Sequence, residues 1–120
     1  MAGEVLFVGW GPVVRGREER ALQVFQETME YYGRLQQEGQ IDSFEPVVIG
    51  PHGGDLAGFV MIRGERAKLA QLRFSEEFER MTVRAAGIVD NLGVGPAYTG
   101  EALTRQMGLF EESARELATA

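Results

Sequence analysis

The feature that most constrains this chain is the run Val5-Leu6-Phe7-Val8-Gly9-Trp10, β-branched and aromatic, and apolar at odd and even positions alike. Side chains alternate across a strand, so Leu6, Val8 and Trp10 load one face while Val5 and Phe7 load the other. Such a strand belongs in the centre of a sheet whose two faces both need cover. Gly11-Pro12 ends it.

From Arg17 the apolar period changes to three and four. Leu22, Phe25, Met29 and Tyr32, flanked by Ala21, Val24 and Leu35, predict a helix from Gly16 to Glu38. Glu18 and Glu19 suit its first turn, Gly39 its end, and Gly33 is its weak point. Ile41 to Ile49 reads as a strand, which Pro46 assigns to an edge or a bulge. Gly50-Pro51-His52-Gly53-Gly54-Asp55 reverses the chain into a third strand, Leu56 to Arg63, so these two strands form a hairpin. A second helix is expected in two pieces. The first is Glu65 to Arg73; the second is capped by Ser75 and carries Phe78, Met81, Thr82 and Ala85 on one side. Ile88 to Ala97, rich in glycine, reads as a bent or bulged fourth strand. Leu103, Met107, Phe110, Ala114 and Leu117 then mark a C-terminal helix behind Thr99.

The order β-α-β-β-α-β is that of the ferredoxin-like split motif, an α+β fold with an antiparallel sheet, here with one additional helix. A length of 120 residues predicts a single domain over 1–120. Two helices cover one sheet face. The other is expected to meet a second subunit in a homodimer or, within one chain, the C-terminal helix.

Composition excludes several function classes. Eighteen acidic against twelve basic residues, net charge -6 and no clustering of arginines, oppose nucleic-acid binding. The absence of cysteine removes disulfides, thiolate chemistry and cysteine metal sites, and fits a cytoplasmic location. The apolar run behind Met1-Ala2-Gly3-Glu4 is too short for a signal core or a membrane span. His52 is the only imidazole, so no metal is expected. Gly9, Gly11 and Gly16 miss the dinucleotide spacing, and no cofactor is expected.

Three residues are candidates for chemistry. His52, three residues before Asp55, is either a general base or a locally bonded loop residue. Arg15, with Arg17, stands where a helix start offers free amides to an anion. Tyr98, within Gly93-Val94-Gly95-Pro96-Ala97-Tyr98-Thr99-Gly100, is presented from a loop and offers a phenol to a ligand or to a dimer seam. Trp10, Phe7, Phe44, Phe59 and Met61 are the candidate wall of a pocket for an apolar or aromatic small molecule; packed tightly, the same residues make only a core.

The stretches Tyr31-Tyr32-Gly33-Arg34-Leu35-Gln36-Gln37-Glu38-Gly39-Gln40-Ile41, Gly50-Pro51-His52-Gly53-Gly54 and Gly58-Phe59-Val60-Met61-Ile62 resemble the dimeric α/β-barrel superfamily, and locally its YCII-related branch. The resemblance implies two ferredoxin-like subunits packed sheet to sheet around a barrel interior. It also implies an activity among cofactor-independent monooxygenases, haem-degrading enzymes or proteins without known chemistry. The branch carries a histidine in its first helix and an Asp-Pro-Phe element near its second. Here the first helix has no histidine, and the second element reads Ser75-Glu76-Glu77-Phe78. Three functional readings stay open: a small-molecule-binding protein of the cofactor-independent monooxygenase kind, a non-catalytic module that binds a metabolite or protein, and a YCII-like acid/base enzyme.

Overall fold

The computed structural model describes residues 3–119. Its elements are β1 (Glu4–Trp10), α1 (Glu18–Gln37), β2 (Ser43–Val48), β3 (Gly58–Arg63), α2 (Arg66–Arg73), α3 (Glu76–Ala86), β4 (Gly93–Tyr98) and α4 (Gly100–Thr119). The helix break at Phe74 and Ser75 has a local cause. Ser75 is extended and its hydroxyl accepts the Phe78 N–H, which starts α3 as a new helix rather than continuing α2. Beyond α1, Gly39 takes a φ of +75°, a conformation open to glycine at little cost.

The sheet order is β2-β3-β1-β4, all neighbours antiparallel, which is the ferredoxin-like arrangement with α4 added. β1 is central, as its two apolar faces require, and β2 with Pro46 is an edge strand. The expected dimeric α/β barrel is corrected here: the sheet is open, with β2 and β4 as free edges. Closure would need these two strands to pair, and each carries a proline, Pro46 and Pro96, that lacks a ladder donor.

The fourth strand is shorter than its sequence pattern. Ile88 to Leu92 leaves the sheet because its backbone bonds to the loop after β1 instead: Gly11 donates to Asp90, Asp90 to Pro12 and Val14 to Ile88. Val13 and Val89 form an isolated bridge in this lacing.

Leu6, Val8, Val60 and Ile62 lie on the sheet face covered by the helices, where Tyr32, Leu35, Leu69, Leu72 and Phe78 complete the core. The α1 stripe is rotated from the one the spacing predicts. Ala21, Val24, Tyr31, Tyr32 and Leu35 are buried, whereas Leu22 is 72% exposed. Across the sheet, the side of Val5, Phe7 and Gly9 faces away from α1, α2 and α3. Val5 on this side is buried, as is Ala102 at the root of α4, but the rest of α4 gives Phe7 no full cover: Phe7 is half-buried, and Leu103, Met107, Phe110 and Leu117 all remain exposed. The fold is correspondingly elongated, with a radius of gyration of 16.5 Å where about 14 Å is typical for its length.

Candidate functional site

Between the helix-covered face and α1 and α3 lies a cavity of about 560 Å3. Val8, Trp10 and Val60 form its floor, Phe25, Met29 and Tyr32 of α1 one wall, and Met81, Thr82 and Ala85 of α3 another. Ile88, Val89 and Leu92 close it below α3, while Val48, Ile49 and Ala57 of the β2–β3 connection border its mouth. The size and the apolar lining are those of a small-molecule site.

The rim is held by backbone. The lacing of the β1–α1 loop to residues 88–92 fixes one side, and the Arg17 guanidinium donates to the Gly87 carbonyl. On the other side Ala57 N–H donates to the Trp10 carbonyl and Ile49 N–H to the Ala57 carbonyl, each at 2.8 Å. Close approach makes two glycines necessary here. A side chain on Gly58 would collide with the Trp10 indole, and one on Gly11 would sit 2.9 Å from the Asp90 carbonyl oxygen.

Few polar groups line the cavity, and their commitments differ. Thr28 and Thr82 spend their hydroxyl protons on the carbonyls of Val24 and Phe78 in their own helices, at 2.7 and 2.9 Å. The Glu18 carboxylate accepts the Gly16 N–H at 2.6 Å. Among the described residues, by contrast, neither the Trp10 indole N–H nor the Tyr32 hydroxyl has a hydrogen-bond partner. Among the described residues no sealed side-chain nitrogen or oxygen lacks a partner, so both groups keep some exposure to solvent. Burial pushes the Tyr32 phenol above its ordinary value, with neighbouring Tyr31 adding to the shift, so Tyr32 stays a neutral donor.

The residues singled out in the sequence are dispersed. Trp10 lines the cavity, and Phe44 packs behind it against Tyr32, ring centroids 5.7 Å apart. Phe7, Phe59 and Met61 lie on the opposite face, the two rings 5.5 Å apart. Tyr98 ends β4 rather than standing in a loop, and it borders a separate cleft of about 240 Å3 beside Arg66 and Arg73. His52 is exposed at the hairpin tip, where Nε2 lies 2.7 Å from the Leu56 carbonyl oxygen. Arg15 is exposed in the loop before α1. These three are not brought to one site. In the sequence Phe25, Met29 and Tyr32 of α1 and Met81 of α3 each belong to a stripe spaced by three and four, which signals a covered face but not the gap beneath it.

Among the described residues no cluster of three or more His, Asp or Glu side chains suits a metal ion. Within the same residues no helix is long and apolar enough to cross a membrane.

No protein-family model and no curated protein matches this chain. Solved structures do. A dimeric protein of unknown function and ferredoxin-like fold from Bacteroides fragilis NCTC 9343 is similar with a TM-score of 0.58 at 12% identity, covering 81% of this chain and 97% of that one. A dimeric ferredoxin-like protein of unknown function from Jannaschia sp. CCS1 gives 0.56 at 15% identity, covering 81% and 100%. SnoaB, a cofactor-independent oxygenase from Streptomyces nogalater, gives 0.56 at 15% identity, covering 85% and 98%. At such identities the likeness carries the ferredoxin-like fold and nothing finer.

Proposed function

We propose that this chain binds a neutral, largely apolar small molecule of aromatic type in the cavity under α1 and α3, and does so as a homodimer. The observation that carries the reading is the pairing of that apolar cavity with two unspent donors, Trp10 N–H and Tyr32 O–H. A ligand with a carbonyl or ether oxygen accepts from them, while its rings meet Phe25, Met29 and Met81. An anionic ligand is disfavoured, because the charged side chain that lines the cavity, Glu18, is itself an anion and already accepts the Gly16 N–H. The dimeric ferredoxin-like proteins of similar fold support the homodimer.

SnoaB, a cofactor-independent oxygenase, motivates a second, catalytic reading: molecular oxygen oxidises an electron-rich substrate, one oxygen atom entering the product and the other leaving as water with two substrate hydrogens. The substrate supplies the electrons, and the site supplies position and exclusion of water. Tyr32 in its neutral form serves as a donor to the product-forming oxygen, not as a base.

Titration with 1,4-naphthoquinone, followed through the emission of Trp10, tests the binding reading. Saturable quenching that weakens about tenfold in Tyr32→Phe is expected, the worth of one hydrogen bond. Naphthalene, which has no acceptor, should bind parent and variant alike. Linear, unsaturable quenching would sink the site.

A further inference from the structure

Two apolar surfaces of this chain lie uncovered, and neither belongs to the cavity. One is the sheet face opposite the helices, where Val5 is buried but Phe7, Phe59 and Met61 at the centre are only half-buried. The other is the stripe Leu103, Met107, Phe110 and Leu117 on α4, each 46% to 75% exposed. We infer that they cover one another between two copies: α4 of each protomer lies across the open sheet face of the other. This rests on the homodimer proposed above and names its seat.

The dimensions agree. From Leu103 to Leu117 the stripe runs about 21 Å along the helix axis. β1 and β3, seven and six residues long, present a face of roughly 20 to 24 Å. The area argues for the exchange as well. The stripe offers on the order of 450 Å2 of apolar side chain, short of the roughly 800 Å2 per partner that a stable interface takes. A reciprocal arrangement gives each protomer both a helix and a sheet face, and so about doubles that figure. A two-fold axis makes the two contacts identical and closes the assembly at two copies. Pairing α4 with α4 would engage only two heptads and leave both sheet faces open to water. Ala102, buried at 1% exposure, fixes the root of α4, and the exposed stripe begins one residue later.

The absence of cysteine makes a direct test available, because introduced thiols are the only ones. Phe7 and Met61 are cross-strand partners at the middle of the face, and Phe110 is at the middle of the stripe. The combined variant Met61→Cys, Phe110→Cys should yield a covalent dimer on mild oxidation, while Phe110→Cys alone should not. A crosslink by Phe110→Cys alone would mean helix against helix and overturn the inference. In sedimentation, Met107→Glu with Phe110→Glu should give a folded monomer, checked by circular dichroism, where the parent is a dimer and the surface control Val83→Glu stays one. A dimer that survives the α4 charges overturns this seat but not the dimer. A monomeric parent overturns both, and naphthoquinone binding by the monomer would leave the cavity reading standing.

Discussion

The Trp10 indole meets the Phe25 ring edge-on, centroids 6.2 Å apart at 68°, and joins the end of β1 to α1 across the cavity. An edge-to-face pair of this kind contributes about 1 kcal/mol beyond the area it buries. Phe25→Ala should therefore shift Trp10 emission to the red by admitting water, and lower naphthoquinone affinity about three- to tenfold. Fluorescence spectra with and without the probe check both effects; unshifted emission would mean that Phe25 does not shield the indole.

Tyr32 makes stability sensitive to alkali. Its folded phenol is raised above 10 by burial, so above that pH the unfolded chain loses its proton first and is favoured. The stabilisation is fully present below 10 and declines as pH rises toward the folded value, by at most about 1.4 kcal/mol per pH unit. Tyr31, raised by burial and by Glu77, acts with the same sign. Urea midpoints between about pH 8 and 11 should fall less steeply in Tyr32→Phe than in the parent. Parallel curves would refute the assignment.

Ile62 sits at 0% exposure in β3, opposite Leu6 on one side and Phe44 on the other. Replacing it by alanine opens a cavity that neighbouring strands cannot collapse around. Ile62→Ala should cost about 2 to 5 kcal/mol in urea unfolding. A loss below about 1 kcal/mol would contradict the described core.

Ser75 accepts the Phe78 N–H at 3.3 Å and donates to the Leu72 carbonyl at 2.7 Å, so one hydroxyl ends α2 and starts α3. Ser75→Ala should destabilise by about 1 kcal/mol, and Ser75→Asp, which keeps an acceptor at the cap, by less. Thermal unfolding of the two variants side by side separates the cap from general surface effects.

Much of this fold is legible in the sequence because it follows from local rules. The two-faced apolar run of β1, the proline of β2 and the serine before α3 each determine a placement. Long-range backbone pairing is less visible. The withdrawal of Ile88 to Leu92 from the sheet comes from bonds to Gly11, Pro12 and Val14, some 75 residues earlier, and no periodicity records them. The site shows the same division. Trp10 was read as a pocket wall from its place at a strand end, whereas Tyr32 was hidden in a helix stripe. Phe7 and Phe59 share the aromatic chemistry of Trp10, and Met61 its apolar character, but all three stand on the other side of the sheet, because even and odd positions of a strand never share a face. The open sheet was missed because barrel closure depends on the chemistry of the edges rather than on the order of the elements.

Those edges also bear on behaviour at high concentration. Fibrillar growth adds chains strand upon strand along an unpaired ladder, and Pro46 and Pro96 each delete a donor from the ladder at opposite margins of this sheet. Association through its faces ends once the apolar surfaces are covered, while association through its margins would have no natural end. The two prolines act as guards against the endless route, and replacing both with valine is where filament formation by this chain should begin.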